Sequence, residues 1–332
     1  MANGTKSAVS VIIPCRNEEK FIAGCLDSIL AQTYPKEKME VLVVDGESTD
    51  KTPEVVDSYS KKHPLIRLVK NTGKVTPTAM NIGISESRGE VIVRIDAHSV
   101  YPVDYIEKGI RYLEKYKADN VGGIRRATPA KDTRTAKAIA LTFSSFFGVG
   151  NAHYQTGTRE PREVDTVFCG FYRRGIFEKI GPYNEKLIRS QDMELNIRLK
   201  KAGGRIILVP DVMVRYFPKS TFGAFFKHNL RDGIWAIVPF KYGVRLKLRH
   251  FIPLFFVLGV FGPLILSIWY YPFIFLTAGV IIAYLSAAFY FSARLLNKDN
   301  GLLVFPFIVT AFTIRHFAYG LGSLIGLFKL LS

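Results

Sequence analysis

Beyond His250 the chain all but stops carrying charge. Arg294, Lys298, Arg315 and Lys329 against Asp299 are the only Lys, Arg, Asp or Glu residues from Phe251 to the last position. Phe251 to Tyr271 and Phe273 to Ala293 are each about the length of one bilayer span, roughly 20 apolar residues, and an uncharged Tyr-Pro turn joins them. Gly301 to Phe328 is a third such run, interrupted by Arg315 and His316. Backbone in hydrocarbon must satisfy its own hydrogen bonds, so three transmembrane helices are expected. Pro253, Pro263 and Pro306 leave re-entrant segments as the alternative to full spans. An arginine in mid-span is costly, and a lipid pyrophosphate or a buried acid would account for Arg315.

The rest of the chain is basic. A formal charge of +17 invites a nucleic-acid reading, but the basic residues are scattered until they concentrate just before the apolar region. Between Arg215 and His250 stand Lys219, Lys227, Arg231, Lys241, Arg245, Lys247 and Arg249, interleaved with Phe217, Phe222, Phe225, Phe226, Trp235, Phe240 and Tyr242 and opposed only by Asp232. Without a nucleic-acid motif, that pattern predicts amphipathic helices on an anionic lipid surface and no nucleic-acid partner. The expected division is therefore 1–214 as a soluble domain, 215–250 as basic interfacial helices and 251–332 as about three spans. The basic half and the loop with Arg294 and Lys298 should face the cytoplasm of a multi-pass cell-membrane protein. Met1 to Ala8 is polar and short, with no apolar core after its lysine, so no signal peptide is expected there. Cys15, Cys25 and Cys169 are widely spaced with no CxxC pair and read as reduced, mostly buried thiols.

In the first half, strand and helix signals alternate. Val9 to Ile13 is an apolar run closed by Pro14, followed by Phe21, Ile22, Cys25, Leu26, Ile29 and Leu30 at helical spacing. Glu40 to Val44 is the next strand, and Thr52-Pro53 supplies an N-cap and a first-turn proline. Ile66 to Val69 and then Val91 to His98 follow, with a short helix near Pro77 to Ser85 between them. This order predicts an α/β fold with a mostly parallel central sheet, whose ligands sit at the carboxyl ends of its strands. Arg16, Asp45, Lys74 and Asp96 all fall there. Asp96 and His98, two apart at a strand terminus, can turn toward one ion. A carboxylate and an imidazole suit Mn2+ better than Ca2+. The plainer reading of Asp96-Ala97-His98 is a turn acid with a surface histidine.

Val11-Ile12-Ile13-Pro14-Cys15-Arg16-Asn17-Glu18-Glu19, Val43-Val44-Asp45-Gly46-Glu47-Ser48-Thr49-Asp50, Asn81-Ile82-Gly83-Ile84 and Ile95-Asp96-Ala97-His98 follow one another in order. They resemble the nucleotide-sugar domain of family 2 glycosyltransferases, which are inverting enzymes of GT-A fold. The resemblance covers roughly the first 210 residues, and the tail looks like the membrane-attached members that build surface glycans, succinoglycan-type transferases among them.

The resemblance implies a nucleotide-sugar site at Pro14, Arg16 and Glu18 in the first loop and Asp45 with Glu47 or Ser48 in the second. Lys74 would meet the diphosphate. Asp45 can accept from a uracil or guanine N–H, a UDP-sugar being expected ahead of a GDP-sugar. Helix N-terminal charge compensation for Glu18 and a simple turn role for Asp45 remain alternatives. The family's acid-x-acid metal triplet reads Asp96-Ala97-His98 here, so Asp96 and His98 are the expected ligands of Mn2+ or Mg2+, with His98 merely lining the cleft as the alternative. Met80 stands where many relatives carry a basic residue.

Downstream, Asp104 to Tyr116 and Thr133 to Phe147 read as helices, Val121 to Ile124 as a strand and Gly148 to Pro161 as a polar loop, either a lid or an ordinary surface loop. Val164 to Phe168 reads as a strand, and Cys169-Gly170-Phe171 at its end resembles the family's acceptor-side turn. Ser190 is the expected N-cap of a helix with Leu195, Leu199 and Ala202 on its apolar face. Its start resembles the family's Glu-Asp base motif, with Gln191 in place of the glutamate. Asp192 is therefore the candidate general base, and Glu194 a structural residue. Helix N-terminal stabilisation is the other role open to Asp192. Arg231 and Trp235 weakly resemble a membrane polysaccharide synthase element at a different spacing, and they join Cys169, Gly170 and Arg315 as candidates for the acceptor or lipid side.

The expected activity is transfer of a sugar from a nucleotide-diphosphate donor to a lipid-linked glycan at the cytoplasmic membrane face, in surface glycan synthesis. Transfer directly to polyprenyl phosphate is the alternative within enzymes. A non-catalytic membrane scaffold retaining the fold is the alternative outside them.

Overall fold

The computed structural model describes residues 8–244, 248–297 and 301–331. The start of the chain, Arg245 and Lys247 of the basic stretch, and Lys298 with Asp299 lie outside the described residues. In chain order the elements are β1 (Val9–Cys15), α1 (Ile22–Leu30), β2 (Met39–Asp45), α2 (Thr52–Lys62), β3 (Ile66–Lys70), α3 (Thr76–Glu86), β4 (Val91–Arg94), β5 (Ser99–Val100) and α4 (Tyr105–Lys115). Then come β6 (Asn120–Ala127), α5 (Arg134–Thr142), α6 (Phe146–Val149), α7 (His153–Thr156), β7 (Arg162–Glu163), β8 (Phe168–Arg173), α8 (Gly175–Ile180), α9 (Gln191–Lys201) and β9 (Ile206–Tyr216). The last helices are α10 (Phe222–Ile237), α11 (Ile252–Leu266), α12 (Phe273–Arg294) and α13 (Phe305–Leu331). Contacts divide the chain into two units, Met1–Arg126 with Gly157–Tyr216, and Ala127–Thr156 with Phe217–Ser332.

The first unit is built on one mixed sheet in the order β3-β2-β1-β4-β8-β6-β9-β5, with β7 paired to β9. β3, β2, β1 and β4 are parallel, as their alternation with helices requires. Beyond β4 the pairings of β4 with β8, β6 with β8, β5 with β9 and β7 with β9 are antiparallel. Central strands buried on both faces carry continuous apolar runs, and all seven residues of β2 are buried. Register brings the site together. Cys15 is level with Asp45, Asp45 with Lys70, and Ile12 with Arg94, so the ends of β1, β2 and β4 share one edge.

Several local expectations are corrected. The strand from Val91 keeps its ladder only to Arg94; Ile95 N–H still donates to Ile12 O at 2.9 Å, and Asp96 to His98 then form a turn closed by Ser99 N–H on Asp96 O. No strand runs from Val164 to Phe168. β8 begins at Phe168, so Cys169 and Gly170 lie inside a strand rather than in a turn after it. The reason is a β-bulge: Val121 pairs with Phe171 but Gly123 with Phe168, one extra residue being absorbed on β8 with Cys169 at φ 46. The helix expected over Thr133 to Phe147 is two, α5 capped by Thr133 and the short α6, and the loop after it contains α7. Thr52 is the first residue of α2 rather than its cap, because its hydroxyl donates to Asp50 Oδ1 at 2.6 Å. Ser190 sits in the left-handed region at φ 60 and gives no side-chain cap to α9.

In the second unit α10 carries the middle of the basic-aromatic stretch. Phe225, Asn229, Gly233, Ala236 and Ile237 form its buried stripe, while Lys227 and Arg231 are exposed. That stripe packs on α13, where a Cβ at Gly233 would collide with the Tyr319 carbonyl. The apolar face expected to lie on lipid is thus covered by a helix of the same unit. Among the described residues, two helices are long and apolar enough to cross a membrane, α12 and the helix ending the chain. α11 has only 15 residues, about 22 Å at 1.5 Å per residue against a hydrocarbon core of about 30 Å, so the expected first span falls short.

Candidate active site at the strand ends

The first two loops of the sheet are stitched to each other. Asn17, left-handed at φ 57, receives Thr49 N–H on its Oδ1 at 2.8 Å and gives its own N–H to Ser48 Oγ at 2.8 Å. Glu18 N–H donates to Thr52 Oγ1 at 2.8 Å, and Glu19 N–H to Asp50 Oδ2 at 3.2 Å. Asp45 is buried, accepts from the Ser48 hydroxyl at 2.5 Å and from Ser48 N–H at 3.0 Å, and so closes the second loop. These contacts are the turn role, one of the two expectations for Asp45. Glu47 and Lys74, both left-handed, pair at 2.7 Å, with Lys70 at 3.5 Å on the same carboxylate. The two lysines hold the Glu47 carboxyl below its ordinary range. Pro14 is half-buried at the end of β1, and the exposed Arg16 lies with its stem alongside Gly46. Non-glycine residues in left-handed conformations at three successive loops are strain of the sort that clusters around ligands.

The turn after β4 carries the next group. Asp96 N–H donates to the Tyr101 hydroxyl at 2.9 Å, fixing the carboxylate at the strand end. His98 Nδ1 lies 3.2 Å from Glu18 Oε1. Arg94 is buried below them; its Nη2 donates to Asp96 Oδ1 at 3.0 Å and its Nη1 to Asp192 Oδ2. Burial alone would raise the Asp96 carboxyl, but Arg94, His98 and Arg125 outweigh it and hold it below the usual carboxylate range. Arg125 itself stacks on Tyr216 and Phe168, 4.2 and 5.1 Å from their ring centres. A carboxylate and an imidazole on one turn would suit a divalent ion as two of its ligands. No group of three or more His, Cys, Asp and Glu side chains among the described residues forms a closed protein cage.

Asp192 stands in the first turn of α9, about one-third exposed. Its Oδ1 is buried and accepts no hydrogen bond from the protein, an arrangement that needs a reason because an unsatisfied buried acceptor costs about 1–3 kcal/mol. Glu194 is structural as expected: it is buried and grips Arg198 with both oxygens, at 2.5 and 2.8 Å. The three cysteines are free and buried around the site, Cys15 Sγ at 3.7 Å from Asp45, Cys25 Sγ at 3.8 Å from Asp96 O and Cys169 Sγ at 3.6 Å from the Tyr101 hydroxyl.

The sequence reading missed Arg94, Asn17, Tyr101 and Arg125. Arg94 had a signal: a charge inside an otherwise apolar strand, two residues before an aspartate and hence on its side of the strand. Arg231, Trp235 and Arg315 belong to the second unit. Arg231 is exposed on α10 and Trp235 half-buried one turn later. Arg315 donates to the Gly148 carbonyl and to Asn229 Oδ1 at 3.1 Å, with its guanidinium 4.7 Å from the Phe143 ring centre. A carbonyl, an amide and a ring are thus among the partners of that arginine.

Residues 10–181, more than half of the chain, match the model of Glycosyl transferase family 2. The chain is 28% identical over 329 residues to the dolichyl N-acetyl-alpha-D-glucosaminyl phosphate 3-beta-D-2,3-diacetamido-2,3-dideoxy-beta-D-glucuronosyltransferase of Methanococcus voltae, covering 97% of each chain. It is 27% identical to the succinoglycan biosynthesis protein ExoA of Rhizobium meliloti, covering 79% of each. Among solved structures it resembles the mannosyltransferase PcManGT from Pyrobaculum calidifontis in complex with GDP-Man and Mn2+, with a TM-score of 0.62 at 20% identity over 97% of this chain and 87% of that one.

Proposed function

The chain belongs to glycosyltransferase family 2 and is a nucleotide-sugar-dependent transferase of glycan synthesis with a GT-A-like fold, and from that premise we propose that it inverts the anomeric centre while moving one sugar to a hydroxyl of a lipid-linked glycan. The observation that carries this reading is the buried, unpartnered Oδ1 of Asp192, held on the same guanidinium as Asp96. An inverting transfer needs one base on the acceptor hydroxyl and a separate group on the departing diphosphate. Asp192 is the base in this reading, and Asp96 serves the diphosphate. The full-length match to a Methanococcus enzyme named for transfer to a dolichyl-linked sugar supports a lipid-linked acceptor.

Pro14, Arg16, Glu18, Asp45, Glu47 and Ser48 form the nucleoside side in this reading, and Lys74, steered by Glu47, meets the diphosphate. Asp96 and His98 hold Mn2+ or Mg2+, which when bound supplies Lewis-acid neutralisation of the leaving group. α12 and α13 anchor the chain in the membrane with the first unit on the cytoplasmic side, and exposed Lys227 and Arg231 meet anionic headgroups. Bare polyprenyl phosphate, already an anion, would need no base. The deciding experiment incubates the full chain and Mn2+ with radiolabelled UDP- and GDP-sugars against polyprenyl-linked saccharides and bare polyprenyl phosphate. Label entering only the saccharide-bearing lipid is expected; label entering the bare phosphate would overturn the proposed acceptor.

A further inference from the structure

Arg94 is the residue on which the two halves of the site converge. Its side chain is 11% exposed, whereas those it holds, Asp96 and Asp192, are 15% and 33% exposed. The charge therefore lies beneath two carboxylates that reach outward. One terminal nitrogen serves each of them, across 98 residues of sequence for Asp192 and two for Asp96. The guanidinium is planar and rigid, so two nitrogens of one fork set the separation of their partners; a lysine ammonium, a single point on a flexible stem, does not.

We infer that Arg94 is a positioning residue for transfer: it ties the helix that carries Asp192 to the turn that carries Asp96, and so sets the span between the acceptor hydroxyl and the sugar carbon it attacks. The inference rests on the reading of Asp192 as the base. Arg94 touches neither substrate; it acts through the two aspartates. A buried arginine with a purely structural role would need a good partner, and one aspartate suffices for that. Sharing its nitrogens between a carboxylate on the donor side and one on the acceptor side, with Nε left buried and unbonded, gives up a bidentate pair. The gain is the fixed relation between two elements distant in sequence.

The test uses the full chain in detergent with Arg94→Lys, Arg94→Gln, Asp192→Asn and the double variant Arg94→Lys with Asp192→Asn. Binding of UDP and of GDP with Mn2+ is measured by calorimetry, and transfer is followed with the nucleotide sugar that the parent chain turns over. Misplacement by about 1 Å can cost about 100-fold in rate, so Arg94→Lys should lower kcat by about 10- to 100-fold and leave Mn2+-nucleotide affinity within about threefold. Retained affinity certifies the fold, and Arg94→Gln replaces Arg94→Lys if the lysine variant does not bind nucleotide. In the Asp192→Asn background the arginine substitution should cost little more, because the group it positions is already disabled. Losses that multiply in the double variant would overturn the inference, as would a loss confined to nucleotide affinity. If Asp192→Asn transfers at the parental rate, the base reading falls and this inference with it. If Asp192→Asn is inactive but Arg94→Lys is not, only the inference falls.

Discussion

Glu18, in the loop after β1, places its Oε1 3.2 Å from Nδ1 of His98, in the turn after β4. The tautomer in which Nδ1–H donates to Glu18 leaves the imidazole lone pair on Nε2, the form in which histidine binds metal. Glu18 thereby joins the loop assigned to the nucleotide with the turn assigned to the ion.

Metal binding should register that pair. Outer partners of a ligating histidine are typically worth about 10- to 100-fold in metal affinity, so Glu18→Gln should weaken Mn2+ binding by that order in a calorimetric titration in the presence of UDP or GDP. Asp96→Ala should abolish transfer, and His98→Asp should retain some and favour Mg2+ over Mn2+. Full transfer in excess chelator would remove the ion from the mechanism.

Asp192→Asn preserves shape and the contact with Arg94 but cannot take a proton. A positioned base contributes about 100- to 10,000-fold, so transfer should collapse by that order with nucleotide affinity nearly unchanged. Gln191→Glu, which restores the commoner family residue, should be tolerated. Near-parental transfer by Asp192→Asn would favour a phosphate acceptor.

The thiols predict an alkaline limit. Burial first, and then the neighbouring carboxylates Asp45 for Cys15 and Asp96 for Cys25, push both thiols far above their ordinary value of 9.0. An unfolded chain releases those protons near pH 9 while the folded chain keeps them, so stability is full below about pH 9 and falls as pH rises beyond it. Denaturant midpoints at pH 7, 9 and 10.5 check the sign. Ellman's reagent at pH 8 should find the thiols inert until the chain is unfolded.

Arg315→Met should act on the second unit rather than on donor chemistry. It removes the donor to Asn229 Oδ1, a fully buried residue, and a buried acceptor left unsatisfied costs about 1–3 kcal/mol. A lowered melting temperature with unchanged UDP and GDP affinity is expected. Unchanged stability with a raised acceptor KM would instead return Arg315 to the lipid.

The sequence by itself determined what short-range pattern can carry. Apolar runs specify buried strands, as in β2; uncharged segments of about 20 residues specify helices fit for lipid, as in α12; and a chain alternating strand with helix builds its ligand site along the carboxyl edge of a parallel sheet. Order alone puts Asp45, Asp96 and Lys74 at or just past that edge. Only the tertiary structure decided the partners. Nothing local links Arg94 to Asp192 or Glu18 to His98, because those pairs exist through strand register and through a helix returning after four further strands. Nor does periodicity announce the bulge that draws Cys169 and Gly170 into β8, or the packing of α10 on α13 that covers a face written as if for lipid. Helix and strand preferences act over a few residues. Charge pairing, bulges and the choice between lipid and a neighbouring helix depend on what the folded chain brings within a few ångströms.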